Sequence, residues 1–163
     1  LRKLPVLLAR EQDGKEQLRK TLGRIGADYD VVVVDAPAGA TLESEAIIRA
    51  SDLLLVPVLP SPLGVESYRT FYDFARSKAG STAVRAFVSM VDRRRTLHRT
   101  TAAALASDRT EVWPVEIPYA SAVERMAAER TPLPRTRRAG PSVQAFRDLW
   151  SRCETELGLG GAV

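Results

Sequence analysis

The stretch that decides the fold is Tyr29–Gly39, YDVVVVDAPAG, in which four consecutive valines run into a carboxylate. An apolar run without polar alternation is typical of a strand buried on both faces, and such strands are usually parallel and covered by helices. The sequence therefore predicts a buried strand over Val31–Val34, with Asp35 at its carboxyl end. Since Pro37 lacks a backbone donor and Gly39 frees the chain, the backbone is expected to turn away after the carboxylate. Ligands bind at that edge of parallel sheets; the alternative is that Asp35 only caps the helix that follows.

Composition limits the class of protein. A chain of 163 residues with 45% hydrophobic residues is long enough to bury a core, and we predict one domain over residues 1–157 with a disordered tail over 158–163. A single cysteine excludes an internal disulfide and a multi-cysteine metal site, and it fits a reducing, cytoplasmic setting. The apolar runs are too short to span a membrane, and the first residues are too few for a secretory signal. Because the chain does not begin with Met, residue 1 is expected not to be the natural start.

Strands and helices are predicted to alternate along the chain. The predicted strands are Pro5–Ala9, Val31–Val34, Leu53–Val58, Val84–Val91 and Val112–Ile117. The predicted helices are Gln12–Ile25, Leu42–Ala50, Val65–Lys78, Leu97–Ala106, Ala122–Glu129 and Val143–Leu157, with a Pro- and Arg-rich loop over Thr131–Pro141. Such alternation predicts an α/β fold: a mainly parallel, twisted sheet with right-handed crossovers and helices on both faces.

Several predicted strands end in polar or backbone-freeing residues. Asp35 follows the valines, Pro60 and Ser61 follow the next strand, Asp92 follows Met90 and Val91, and a Pro-Tyr pair follows Ile117. The carboxyl ends of parallel strands share one edge of the sheet, so these residues are expected to gather there. For Met90 the alternative is core packing, for Tyr119 a half-buried surface position, and for Asp92 a pair with a neighbouring arginine.

The basic residues are mostly arginines and fall in two groups. Such groups neutralise phosphates, although a solvated surface would show the same pattern. The candidates for phosphate binding, including the phosphates of DNA, are Arg93, Arg94, Arg95 and Arg99, and Arg135, Arg137 and Arg138. The only histidine, His98, lies among polar residues on a predicted helix, which favours a surface position over a catalytic one.

Three segments, taken together, resemble one family. They are YDVVVVDAPAGATLESEAIIRASDLLLVPVLPSPLGVES, VRAFVSMVDRRRTLHR and VEIPYASAVERMAAERTPL. In order and spacing they are similar to the ParA/MinD family of deviant Walker ATPases, most of all to its ParA branch, which partitions plasmids and chromosomes. The resemblance covers the chain from about Leu4 to Leu157 and implies a P-loop NTPase-like fold.

The resemblance implies roles for single residues. Asp35 corresponds to the Walker B carboxylate, the catalytic residue that holds Mg²⁺ through water on the phosphates of ATP. The turn with Pro37 and Gly39 corresponds to the switch that senses the γ-phosphate, although Ala38 stands where many relatives have a second proline. The segments that flank the adenine correspond to Met90, Asp92, Pro118, Tyr119 and Ala120.

The family's phosphate-binding loop does not occur in the chain. Gly14-Lys15-Glu16 holds the only Gly-Lys pair, but Ala9 and Glu16 stand where the loop needs Gly and Ser or Thr. Either the first βα unit lies outside this sequence, as a start without Met favours, or the natural protein has lost the loop. In both cases the chain by itself is expected not to hydrolyse ATP, because most of the groups that position and neutralise the phosphates are missing.

Two functions follow from the resemblance. The first is a partitioning ATPase in the nucleoid. In such a protein ATP binding drives homodimerisation, the dimer binds DNA nonspecifically, and a centromere-binding partner protein stimulates hydrolysis. The second is a non-hydrolysing, ParA-like adaptor that localises a partner protein. A small-molecule synthetase of the same superfamily is a third possibility, whereas the nitrogenase iron protein type is disfavoured because its cluster needs two cysteines per subunit.

Overall fold

The computed structural model describes residues 14–37, 39–132 and 140–159. The helices are α1 (Gly14–Ile25), α2 (Leu42–Ala50), α3 (Pro62–Lys78), α4 (Thr96–Asp108), α5 (Ser121–Glu129) and α6 (Gly140–Leu157), and a 3₁₀ turn, Gly26–Asp28, follows α1. The strands are β1 (Leu53–Val58), β2 (Ala83–Val91) and β3 (Val112–Pro118). They form a sheet in the order β1-β2-β3, in which β2 and β3 are parallel. The predicted α/β class with a parallel sheet is confirmed.

The predicted buried strand over Val31–Val34 is wrong. Residues 31–37 have no strand pairing, and the Val33 side chain is 85% exposed. A strand needs neighbours that accept and donate its backbone hydrogen bonds, and the sheet of the described residues contains β1, β2 and β3 alone. Val32 instead lies beside the end of α1, where a Cβ added to Gly26 would be 3.2 Å from its Cγ2. A run of valines gives strand propensity but does not supply the partner.

The other predicted elements between residues 42 and 129 are present, with ends that shift by at most three residues. The largest shift is at α3, which begins at Pro62 because Ser61 caps it: the Ser61 hydroxyl accepts from the Gly64 N–H (3.1 Å), and its carbonyl accepts from the Val65 N–H (2.9 Å). The predicted strand Pro5–Ala9 and the start of the predicted first helix lie outside the described residues. So do residues 133–139 of the predicted loop and 160–163 of the predicted tail.

The chain divides into two compact units, Leu1–Leu54 with Arg69–Val84 and Leu55–Tyr68 with Arg85–Val163. In the first unit α1 packs against α2, and the buried side chains include Ala46 and Ile48 of α2. The buried Thr82 hydroxyl lies 2.8 Å from the carbonyl oxygens of both Ile48 and Ser51, which ties the start of β2 to the end of α2.

In the second unit α4 and α6 both pack against β3. Its core contains Val88 and Val91 of β2, Val115 and Ile117 of β3, and apolar residues of the two helices. Arg85 donates two hydrogen bonds to the Glu156 carboxylate, at 2.7 and 3.0 Å, and this bidentate pair joins β2 to α6. No helix in the described part of the chain has the length and apolar character needed to cross a membrane.

Candidate functional site

The carboxyl ends of β2 and β3 bring together five of the residues predicted to flank a nucleotide. Val91 is in register with Pro118, and the Tyr119 N–H donates to the Val91 carbonyl at 3.0 Å. Met90 and Asp92 on one strand therefore lie beside Pro118, Tyr119 and Ala120 on the other. We call these residues, 90–92 and 118–120, the carboxyl edge. All of it belongs to the second unit.

Met90 has the backbone conformation that stands out most at this edge. Its φ is 59°, in the left-handed region that a non-glycine residue rarely adopts, and its side chain is 48% exposed. The alternative of core packing for Met90 is therefore wrong. Such a conformation costs about 1–3 kcal/mol and is concentrated at ligand-binding and switch positions. The register of β2 and β3 also shifts between Val88 and Val91, so the strand is distorted where it reaches the edge.

Tyr119 places an aromatic ring on the same surface. Its side chain is 50% exposed, and a hydrogen bond to the Glu124 carboxylate raises the pKa of its phenol. Glu124 is in the first turn of α5, whose cap is Ala120: the N–H groups of Val123 and Glu124 donate to the Ala120 carbonyl at 2.9 and 3.3 Å. The helix start thus orients the tyrosine that precedes it.

Asp92 is occupied by a neighbouring arginine, as the alternative for this residue predicted. The Arg94 guanidinium donates to both of its carboxylate oxygens, at 2.9 and 3.0 Å, and the Arg94 N–H donates to one of them at 3.1 Å. This pair holds the pKa of the Asp92 carboxyl at about 2, below its ordinary value of 3.8. Asp92 therefore stays ionised and holds Arg94 more directly than it can hold a ligand.

The turn that follows β2, residues Asp92–Arg95, carries three arginines of the first group, and we call it the arginine turn; the fourth, Arg99, lies on α4. Arg93 pairs with Glu116 at 3.3 Å, and Arg99 donates to the Arg93 carbonyl at 2.7 Å. Within the described residues no hydrogen bond or ion pair holds the Arg95 side chain, which is exposed. The second predicted group, Arg135, Arg137 and Arg138, lies outside the described residues.

The predicted surface position of His98 is wrong. The residue is 9% exposed, and its Nδ1 accepts a hydrogen bond from the Asp92 N–H at 3.1 Å. Its buried neighbours along α4 are Ala102 and Leu105, so the three residues follow the i, i+4, i+7 spacing of a core-facing helix stripe. That spacing is visible in the sequence and would have placed His98 inside.

Asp35 lies in the first unit, on the extended segment that precedes α2, and its side chain is exposed. It does not cap α2. The cap is Thr41, whose hydroxyl accepts from the Ser44 N–H at 3.2 Å. The Ser44 hydroxyl in turn donates to the Gly39 carbonyl at 2.6 Å and lies 3.5 Å from that of Pro37, and Gly39 has a φ of 102°. The hydroxyl of Ser44 thus links the turn that was predicted to be a switch to the first turn of α2.

Asp35 offers a single carboxylate to an ion such as Mg²⁺. This ion keeps several waters and takes one or two carboxylates together with substrate phosphates, so a single exposed carboxylate fits that role. Among the described residues no three histidine, cysteine or acidic side chains come together as a metal-binding group.

A groove that the sequence did not predict runs between β3 and α6. Its volume is about 480 Å³, and its lining residues are Trp113, Pro114, Val115, Asp148, Ser151, Arg152, Thr155 and Glu156. Most of the polar lining comes from one face of α6, at positions 148, 151, 152, 155 and 156. The groove arises from how α6 packs on β3, and no motif in the sequence signals it.

The chain matches no protein-family model and no curated protein. The resemblance to the ParA/MinD family therefore depends on the residues quoted from the sequence.

Proposed function

We propose that the carboxyl edge binds an adenine nucleotide and that the chain belongs to a ParA-like ATPase of the P-loop NTPase-like class. The observation that carries the proposal is the juxtaposition of Met90 and Asp92 with Pro118–Ala120. These are the residues that the resemblance assigns to the adenine, and they come from two separate segments of the sequence. They also lie at the strand ends where parallel sheets bind ligands.

The exposed side chains at this edge suit a flat, apolar base. Met90 and Tyr119 are each about half exposed, and an aromatic ring gives a base a stacking surface. Stacking on one aromatic residue contributes about 1–3 kcal/mol, and a dissociation constant of about 1 mM requires about 4 kcal/mol. Stacking alone falls short of this, and contact with Met90 must supply the rest, so adenosine is expected to bind no more tightly than about 1 mM. ATP should bind little better, because the chain has no phosphate-binding loop.

Calorimetry on the chain tests this expectation. Adenosine and ATP should bind with similar, millimolar affinity, and Tyr119→Ala should weaken both by about tenfold or more. Tyr29→Ala is the matched control, since Tyr29 is 67% exposed and lies in the first unit. Micromolar affinity for ATP, or equal losses from the two tyrosine variants, would overturn the assignment.

Asp35 is proposed to act on the metal and not on the base. When bound with nucleotide, Mg²⁺ neutralises phosphate charge and polarises the group that is transferred. An ionised carboxylate on the exposed segment before Pro37 suits the water shell of that ion. In the full natural protein, Asp35→Ala is expected to abolish ATP hydrolysis and to leave adenosine affinity unchanged. Equal loss of both would assign Asp35 a structural role.

The arginine turn is proposed to bind DNA phosphates in the nucleotide-bound dimer. Arg95 is ready to do so, whereas Arg93 and Arg94 must exchange the carboxylates of Glu116 and Asp92 for phosphates. Exposed ion pairs contribute little to stability, so exchanging one carboxylate for a phosphate costs little. If the dimer neutralises about four to six phosphates, log affinity should fall with log salt at a slope of roughly −4 to −5.

DNA retention by the full natural protein with ATP measures this. The variant changes Arg93, Arg94 and Arg95 to Ala together, and the control removes the same charge by changing Arg19, Arg24 and Arg76, which are exposed outside the turn. The first variant should lose affinity and flatten the salt slope, while the control should do so much less. Absence of ATP-dependent DNA binding by the unchanged protein would favour the non-hydrolysing adaptor.

A further inference from the structure

His98 is a polar ring on the buried face of α4, and its hydrogen bond explains why it lies there. The Asp92 N–H donates to His98 Nδ1 at 3.1 Å, in the first residue of the arginine turn. The turn is closed by two further bonds, from the Arg95 N–H to the Asp92 carbonyl at 3.0 Å and from the Arg94 N–H to the Asp92 carboxylate at 3.1 Å. Asp92 thus uses its N–H, its carbonyl and its carboxylate, and His98 supplies the partner of the first.

The acceptor role fixes the protonation of the ring. A neutral imidazole has one nitrogen that donates and one that accepts, so His98 carries its proton on Nε2. A charged imidazolium donates from both nitrogens. Its Nδ1–H would then face the Asp92 N–H, and the backbone donor would lose its partner.

We propose that neutral His98 positions the arginine turn and that protonation of its ring opens the turn and releases Arg94. An imidazole ring takes up a second proton as the pH falls, so the state of the turn depends on pH. The proposal rests on the geometry of the turn alone and stands or falls separately from nucleotide or DNA binding.

The charges around the ring set the direction of the change. The Asp92 carboxylate, whose pKa of about 2 keeps it ionised, would attract a positively charged His98 ring, and it is also the group that holds Arg94. A charged His98 therefore competes with Arg94 for Asp92. The other titratable and charged groups around the turn are Arg93, Arg94, Arg95 and Arg99 on the turn and α4, Glu116 on β3, and Tyr119 with Glu124 after β3. The closed turn needs the neutral ring as the acceptor for the Asp92 N–H, so it is stable at higher pH and opens when a fall in pH protonates the ring.

A nitrogen-detected NMR experiment on the labelled chain tests the first half of the proposal. The chain has one histidine, so the imidazole nitrogen signals need no further assignment. At about pH 8 we expect the Nε2–H tautomer and a coupling through the hydrogen bond between the Asp92 amide and Nδ1. The Nδ1–H tautomer, or a missing coupling, would overturn the proposal without any variant.

A pH titration tests the second half. Between about pH 8 and pH 5, the amide of Asp92 and the Nε–H of Arg94 should shift with the same midpoint as the His98 ring. The protection factor of the Asp92 amide should fall about tenfold, as expected for the loss of one hydrogen bond. Titration of the ring with no change at Asp92 and Arg94 would overturn the proposal.

Two variants separate a sensor from a structural residue. His98→Asn keeps an acceptor near the position of Nδ1 but does not titrate, so the turn should stay closed across the whole range. His98→Phe keeps a ring without an acceptor, so the turn should be open at both pH 8 and pH 5. If the pH response of the turn persists in His98→Asn, another group causes it and the proposal is wrong.

Discussion

The exposure of Val33 gives the sharpest test of the fold. Full burial of a valine contributes about 1.5–3 kcal/mol to stability. Because Val33 is 85% exposed, its burial contributes only about a sixth of that, about 0.2–0.5 kcal/mol. Val33→Asp should therefore change the free energy of unfolding by no more than about 0.5 kcal/mol. The predicted buried strand would require several kcal/mol, because the new carboxylate would be buried without a partner.

The matched control is Ile48→Asp in the same unit. Ile48 is 1% exposed, so this variant buries an unpaired carboxylate and should lose at least about 4 kcal/mol, much of the 5–15 kcal/mol that holds a typical domain folded. Urea unfolding followed by far-ultraviolet circular dichroism compares the two. With a slope of about 2 kcal/mol/M, the midpoint should move by about 0.25 M or less for Val33→Asp and by about 2 M for Ile48→Asp. If Val33→Asp lost as much free energy of unfolding as Ile48→Asp is expected to lose, residues 31–34 would form a buried strand after all.

Three further outcomes are expected. Gly64→Ala should destabilise the protein, because a Cβ there would lie 2.5 Å from the Leu59 carbonyl oxygen, although alanine favours helices over glycine by about 1 kcal/mol. Gly23→Ala is the control and should stabilise the protein, since no atom lies within 4 Å of a Cβ there. A stabilising effect of Gly64→Ala in urea unfolding would contradict the close approach. Arg94→Ala should raise the pKa of Asp92 from about 2 toward 3.8 in a carboxyl NMR titration, and an unchanged pKa would show that the pair does not form. Because the pKa of Asp92 is lowered in the folded state, the pair stabilises the turn above about pH 3.8, and this stabilisation is lost as the pH falls toward 2. Burial raises the pKa of the Cys153 thiol, so labelling by a thiol reagent at neutral pH should be slow and should accelerate only with urea unfolding, whereas fast labelling of the folded chain would place Cys153 at the surface.

The parts of the fold that the sequence predicted are those in which local pattern and tertiary packing agree. Leu53–Val58 is found with the predicted ends, and β2 and β3 differ by one residue at an end, because each has a partner strand in the sheet. Val31–Val34 is equally apolar but has no partner strand among the described residues. Apolar content therefore indicated where strands are possible but not which of them pair.

The candidate site divides in the same way. Its residues at the carboxyl edge could be predicted, since the ends of parallel strands meet by geometry. The surface position predicted for His98 is wrong because a polar residue type favours the surface, whereas its helical spacing with Ala102 and Leu105 places it in the core. The Asp92–Arg94 pair was foreseen only as an alternative, and the groove beside Trp113 depends on helix packing that no local pattern encodes.

NMR mapping of the adenosine site tests whether the carboxyl edge holds the base. Amide chemical shifts of the labelled chain are followed as adenosine is added to several times its millimolar dissociation constant. The account predicts that the largest changes fall on residues 90–92 and 118–120, with the ring signals of Tyr119 moving upfield. Changes centred on the groove beside Trp113, or no localised change at all, would contradict it.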